Sequence, residues 1–383
     1  MPGADITELS RQAQRFEERL NAIKASLKSR EIAWYPYRTL AVFSNLETLL
    51  TGPRRRLIDI PAGDPILDLG CGDGDMSFFL ESLGCEVLAV DNPPTANNRM
   101  RGFMELHAAL NSSVRFEAVD LDSQFWLPDG VFGLAIFVGV LYHLKNPYYA
   151  LEALAKRARY CLLSTRVARQ TPKGNPMQEE SLAYLLGPGE ANGDDTNYWI
   201  FSETALRKLV DRTGWNICDF STRGVGRGSE PARLDRDERV FCLLESRHCP
   251  RYSVKLKEGW YPLEQNSFRW TTRRFSIQIN RSHLVKFSTL LFNFRLPTAG
   301  PVTLSAAVNG LSVPPATFAA EGEQIYQIKL PLEAADASAL KIDFAVDRCV
   351  QAGAIDEREL ALLVPFWKPG LDQANIAVPF ELS

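Results

Sequence analysis

Ile66-Leu67-Asp68-Leu69-Gly70-Cys71-Gly72-Asp73-Gly74-Asp75-Met76-Ser77-Phe78-Phe79-Leu80 reads as a short apolar strand, a glycine-rich turn and the first turns of a helix. Gly70, Gly72 and Gly74 fall on alternate positions, where a Cβ would hinder a tight turn or hold a ligand away from the backbone. A turn of this kind at a helix N-terminus commonly serves an anion or a nucleotide. The phosphate-loop spacing that ends in Gly-Lys-Ser or Gly-Lys-Thr is absent, and Asp73 and Asp75 stand where a pyrophosphate would sit. Such an acidic loop suits a ligand with a positive end, a sulfonium or an α-amino group.

Outward from this turn the chain alternates between strand and helix. A helix over 75–83 leads to a second strand, Cys85 to Asp91, and a helix near 96–110 leads to a third, Val114 to Asp120. Phe132 to Leu141 is a fully apolar fourth strand followed by Tyr142-His143, and a helix over 147–158 precedes a fifth strand at 159–165. Strands alternating with helices predict a parallel, doubly wound sheet, and near-continuous apolar strands fit a sheet covered on both faces. Asp68, Asp91 and Asp120 each close a strand at the edge where ligands bind in such sheets.

Upstream, residues 5–29 read as one amphipathic helix. Its seam of Ile6, Leu9, Ala13, Phe16, Leu20, Ile23 and Leu27 suits packing on its own domain or homo-oligomer formation. Trp34-Tyr35-Pro36-Tyr37 lies before the glycine turn and could cap a pocket there. Arg54-Arg55-Arg56 reads as a solvated surface, with a phosphate contact as the other reading. Downstream, Arg166 to Trp199 is irregular, holds Gly187-Pro188-Gly189, and is read as a long loop interrupted by a short helix at 178–186. Loops of this length are usually functional, and its position after the fifth strand makes it the candidate substrate-selecting segment. A helix over 203–213 and strands at 215–221 and 239–246 follow. After Pro250 the period changes to two, with strands expected at 274–280, 284–295, 301–309, 324–331, 339–346, 359–365 and 375–381, the pattern of an antiparallel β-sandwich. Trp260, Tyr261 and Trp270 at its entrance suit packing of the core or stacking on sugar rings. Three regions are thus expected: the helix of 1–30, an α/β domain over 31–249 and a β-sandwich over 250–383.

The chain has 383 residues, 45% of them apolar and 23% charged, with a net charge of −3. It carries no overall basic footprint for nucleic acid. Its seven cysteines form no Cys-x-x-Cys pair and its four histidines show no ligand spacing, so a reduced, cytoplasmic setting and no metal site are expected. The polar start lacks a signal-peptide core, and the longest apolar run, Val131 to Leu141, is too short to span a bilayer. No membrane insertion is expected.

Leu67 to Gly74 resembles motif I of the class I S-adenosylmethionine-dependent methyltransferases, and the strand-end acids follow in that family's order. The resemblance implies a Rossmann-like, doubly wound, seven-stranded sheet. It also implies S-adenosyl-L-methionine as cofactor, with S-adenosyl-L-homocysteine as product. The cofactor-binding candidates are Asp68, Gly70, Cys71, Gly72, Asp91, Asn92, Asp120, Leu121, Val138 and Gly139, with Asp91 at the ribose hydroxyls and Asp120 near the adenine amine. Trp34-Tyr35-Pro36, Gly139 to Pro147 and Asn197 to Ser202 together resemble the bacterial tRNA wobble-uridine methyltransferase family, which includes the carboxymethyl-transferring enzymes of the 5-oxyacetyl-uridine pathway. That likeness covers roughly residues 31–247 and leaves the sandwich out; it implies a cofactor-proximal Tyr142. His143, just past the fourth strand, is the candidate catalytic base, with Tyr142 as its partner. The expected activity is O-methylation of a small-molecule or carbohydrate-type (glycan) acceptor. Transfer to a tRNA wobble uridine is the alternative enzyme, and a non-catalytic cofactor-binding scaffold the alternative of another class.

Overall fold

In the computed structural model, residues 3–27, 31–128, 130–191, 193–265, 267–297, 300–351, 358–365 and 380–382 are described. They divide into two compact units, Met1–Pro250 and Arg251–Ser383.

In the first unit, α1 (Ile6–Ser26) is capped by the Asp5 carboxylate, which accepts from the Thr7 amide. Ile6, Leu9, Ala13, Phe16 and Leu20 are buried, and α1 packs on α2 (Val42–Leu49) and α3 (Asp75–Ser82). The seam that suggested self-association is therefore covered by the chain's own domain, with Phe16 and Phe43 both against Phe79.

The sheet is built from β1 (Ile66–Leu69), β2 (Val87–Asp91), β3 (Arg115–Ala118), β4 (Phe132–Val138) and β5 (Ala158–Val167), all parallel, with α4 (Arg101–Leu110) and α5 (Pro147–Ala155) in the crossovers. Later in the chain, β6 (Ala183–Leu185), β7 (Trp199–Phe201), α6 (Glu203–Arg212), β8 (Trp215–Gly224) and β9 (Glu238–Ser246) complete the unit. β9 runs antiparallel to β5 and pairs with β8, so the seven-strand order is β3-β2-β1-β4-β5-β9-β8. This is the expected doubly wound sheet, closed by an antiparallel hairpin. Two short strands extend it to nine, because β6 pairs with β7 and β7 joins the end of β5 at Val167 and Phe201. Every residue of β5 is buried, as a strand covered on both faces requires.

The expected helix at 178–186 is absent; that stretch contains β6. Its backbone groups find partners on β7, a tertiary pairing that overrides local helix propensity. The 166–199 segment folds back as a compact wall into β7: Met177, Leu186, Ala191 and Ile200 are buried together with Tyr142. The arginine run is paired, Arg54 with Asp219, Arg55 with Asp5 and Arg56 with Asp59, so it is neither a freely solvated surface nor an open phosphate contact.

The second unit is antiparallel. One sheet orders β10 (Tyr252–Leu256), β12 (Arg274–Arg281), β17 (Ala339–Val346), β14 (Val302–Val308) and β15 (Leu311–Phe318) side by side. The other orders β11 (Phe268–Trp270), β20 (Leu363–Pro365), β13 (Thr289–Leu296) and β16 (Gly322–Lys329), with β21 (Phe380–Leu382) also on β13. β18 (Val350–Gln351) pairs with β19 (Glu359–Leu360). Inward residues of both sheets share one apolar core, in which Phe275, Phe292 and Phe344 pack ring on ring. Trp260 packs against Phe275 and donates its Nε1–H to the Ser276 carbonyl, so it serves the core. β15 escapes sequence reading because Pro314 and Pro315 interrupt its pattern; it lies at a sheet edge, where proline is tolerated. Residues 375–379 of the last expected strand lie outside the described residues.

Candidate cofactor and acceptor site

The carboxyl ends of β1, β2, β4 and β5 gather the candidate residues. After β1 the backbone turns through Gly70 (φ +70°) and Gly72 (φ +55°), both in the left-handed region that favours glycine. A Cβ on Gly70 would lie 2.4 Å from Val140 Cγ2. At Gly72 the nearest atom to such a Cβ is Cγ of Tyr35, 3.9 Å away, so the loop and the tyrosine leave a narrow cradle. Asp91 at the end of β2 accepts from the Gly72 amide (2.8 Å) and the Asn92 amide (2.7 Å). Burial raises its pKa, and these two hydrogen bonds oppose the rise. Asp68 lies beneath the turn, accepts from Ser77 Oγ at 2.5 Å, and is pushed up to about 7 by burial.

The acidic loop does not offer its charge as the sequence suggested. Asp73 accepts from the Tyr35 amide (2.6 Å) and from Asn98 Nδ2 (2.7 Å). Asp75 is paired with Lys24 at 2.8 Å. Both carboxylates hold the N-terminal segment down instead: Asp73 pins the Trp34-Tyr35-Pro36-Tyr37 strap over the glycine turn, and Asn97 and Asn98 both donate to the Ala33 carbonyl. Burial pushes the Tyr35 phenol up to about 12; Tyr142, Tyr37 and Asp91 add to the rise and Arg239 opposes it, so one hydroxyl is influenced from both ends of the pocket.

At the end of β4, Gly139 (φ +77°) donates its amide to the Ser164 carbonyl, and a Cβ there would lie 3.8 Å from the Tyr142 hydroxyl. Tyr142 and His143 follow in a short 3-10 turn, their rings 4.3 Å apart. The Tyr142 carbonyl accepts from the Tyr198 amide, and the His143 Nδ1 lies 3.1 Å from the Thr196 carbonyl, so the 166–199 segment is seated on both residues. Desolvation lowers the His143 pKa. Arg239 on β9 lies over the Tyr142 ring at 5.6 Å, with Nη1 3.5 Å from its hydroxyl. Arg239 and the buried Arg166 share a single carboxylate, Asp237.

The structure thus brings Asp68, Gly70, Gly72, Asp91 and Asn92 into one cluster and Gly139, Tyr142 and His143 into a second, with Tyr35 between them. Cys71, in the glycine turn, is buried, and its thiol pKa lies well above the ordinary value, first because of burial. Leu121 packs in the apolar core. Asp120 caps its own turn, accepting from the Asp122 amide and Ser123 Oγ, and these bonds lower its pKa. Arg166, Arg239, Asp194 and Thr196 were not among the sequence candidates. The signal for the first two was a charge inside an otherwise apolar strand. Among the described residues no group of His, Cys, Asp and Glu is arranged to hold a metal ion, and no helix is long and apolar enough to cross a membrane.

Residues 42–219 match the model of a family described as a methyltransferase domain. No curated protein sequence matches the chain. Among solved structures, the chain is similar to the N-terminal domain of EvdMO1 crystallised in the presence of SAH and D-fucose (16% identity, 64% of this chain and 98% of that one, TM-score 0.38). It is similar to the YcgJ protein of Bacillus subtilis (12% identity, 51% and 96%, TM-score 0.38). It is also similar to the [4+2]-cyclase SpnF (14% identity, 50% and 80%, TM-score 0.35). With the matched model, the sheet order and the glycine cradle on the page, residues 42–219 form a class I S-adenosylmethionine-dependent methyltransferase domain, and S-adenosylmethionine is its cofactor.

Proposed function

We propose that the enzyme methylates a hydroxyl oxygen of a small-molecule or carbohydrate-type acceptor, with His143 as the general base. The observation that carries this reading is His143 itself. It sits beside Tyr142 at the carboxyl end of β4 with its pKa lowered by burial, and is therefore neutral at physiological pH. A neutral imidazole there can take the proton of an attacking hydroxyl. Asp91 with the Gly70–Gly72 turn would hold the cofactor, and Tyr35 and Tyr142 would close over it. When bound, S-adenosylmethionine supplies an electrophilic methyl whose C–S electron pair leaves with sulfur, while the acceptor proton passes to the imidazole. Alignment supplies much of the remaining rate. The paired state of Arg54, Arg55 and Arg56 and the net charge of −3 favour this acceptor class over a tRNA wobble uridine.

The test is transfer of a labelled methyl group to a panel of sugars and small hydroxylated molecules, with bulk tRNA in parallel. A product on oxygen, reduced about 100-fold or more by His143→Gln, is expected, the range that general bases supply. Label entering tRNA alone, with a steep fall in rate between low and physiological salt, would replace this reading with the tRNA one.

A further inference from the structure

Thr196 and Asp194 belong to the irregular segment that precedes β7, and neither touches the glycine turn. Their contacts with His143 nevertheless specify a protonation pattern. Nδ1 of His143 lies 3.1 Å from the Thr196 carbonyl oxygen and 3.0 Å from Thr196 Oγ1. The carbonyl can only accept. The threonine hydroxyl donates its proton to Asp194 Oδ1 at 2.6 Å, so toward the imidazole it too presents a lone pair. The same Asp194 oxygen accepts from the Thr196 amide at 2.8 Å, which holds the turn that presents both acceptors. Two acceptors facing one ring nitrogen require that nitrogen to carry the hydrogen.

We infer that the Asp194–Thr196 turn locks neutral His143 as the Nδ1–H tautomer, leaving the lone pair on Nε2, and that Asp194 and Thr196 are positioning residues for the base. Among the described residues Nε2 makes no hydrogen bond, so none of them consumes its lone pair. The charged groups around the ring are Asp194 from this segment, which raises its pKa, and Arg239 from β9 and Arg166 from β5, which lower it. Tyr142, its neighbour in the same turn, packs its ring 4.3 Å from the imidazole. The long segment thus has a task besides walling the pocket: it chooses which imidazole nitrogen is basic. The inference rests on the reading of His143 as base for its catalytic meaning, but the tautomer itself can be measured without any acceptor.

The experiment is long-range proton–nitrogen NMR of the full chain, which distinguishes a protonated from a bare imidazole nitrogen. With four histidines in the chain, the His143 signals are assigned by their loss in His143→Gln. Above the titration midpoint, wild type is expected to show a protonated Nδ1 and a bare Nε2. Asp194→Ala, which removes the acceptor for both Thr196 groups, should average the two nitrogens. Asp194→Asn, which keeps an acceptor oxygen, should restore the single tautomer while moving the His143 midpoint downward, because a charge that raises it is gone. Wild type with a protonated Nε2 or an even mixture would overturn the inference, as would Asp194→Ala with the wild-type pattern. If Asp194→Ala does not fold, the wild-type spectrum and the Asp194→Asn midpoint decide alone. Undiminished methyl transfer by His143→Gln, with the expected tautomer seen in wild type, would instead refute the base reading.

Discussion

Replacing Gly72 by alanine separates the two reasons for a glycine in the β1–α3 turn. Gly72 has φ +55°, and an L-residue in the left-handed region loses roughly 1–2 kcal/mol. The added methyl meets nothing closer than Tyr35 Cγ at 3.9 Å, an ordinary contact, so no clash adds to that figure. Gly84 is the matched control: its φ is +83°, and a Cβ there has nothing within 4 Å. Gly72→Ala and Gly84→Ala should therefore lose similar stability, a fall of roughly 2–4 °C in Tm per kcal/mol for a domain of this size. Only at position 72 does the methyl enter the space between the turn and Tyr35. Calorimetric titration with S-adenosylmethionine and S-adenosylhomocysteine should then show Gly84→Ala binding as wild type. Gly72→Ala should be weaker by at least about tenfold, equivalent to about 1.4 kcal/mol. If both variants lose the same stability and both bind as wild type, Gly72 serves the turn alone and the cradle does not hold the cofactor there.

Two further perturbations test the frame around the site. Asp68 has its pKa raised from 3.8 to about 7, chiefly by burial, so between those values the folded state binds more protons than the unfolded one. Stability should fall as pH rises through that window, by on the order of 4 kcal/mol in total. Thermal melts without cofactor should show Asp68→Asn gaining on wild type above pH 7 and gaining nothing near pH 4; a less stable Asp68→Asn at pH 8 would contradict the assignment. Asp73→Ala removes the acceptor for Tyr35 and Asn98, two hydrogen bonds to a charged group that together contribute roughly 3 kcal/mol or more. Cleavage by trypsin after the exposed Arg38 should accelerate about tenfold or more, and S-adenosylmethionine should slow it in wild type. An unchanged cleavage rate would mean that Asp73 does not hold the strap.

Local period made the frame legible, and long-range pairing decided the chemistry laid on it. The apolar runs of β1, β2 and β4 and the alternation of strand with helix around them made the sheet legible, and each strand from β1 to β5 overlaps the stretch where its pattern put it. No such period runs through 31–38 or 166–199, and those are the segments that complete the site. The reading of Asp73 and Asp75 as free negative charge shows why. Nothing within the loop signals that one carboxylate meets an amide 38 positions upstream, or that the other meets a lysine 51 positions upstream. His143 finds its partner 53 positions downstream, in the irregular stretch between β6 and β7. A charged side chain near a buried strand end must be paired or hydrogen-bonded, so its sequence position announces that a partner exists without saying which. Among the described residues, the polar groups of the site that keep hydrogen-bonding capacity after this pairing include the Asp91 carboxylate, the Tyr35 and Tyr142 hydroxyls, His143 Nε2 and Arg239. The two segments with no period, the strap before β1 and the wall after β5, are the acceptor-selecting segments we propose. Exchanging those segments between related domains should move acceptor choice while leaving the glycine turn and the sheet as they are.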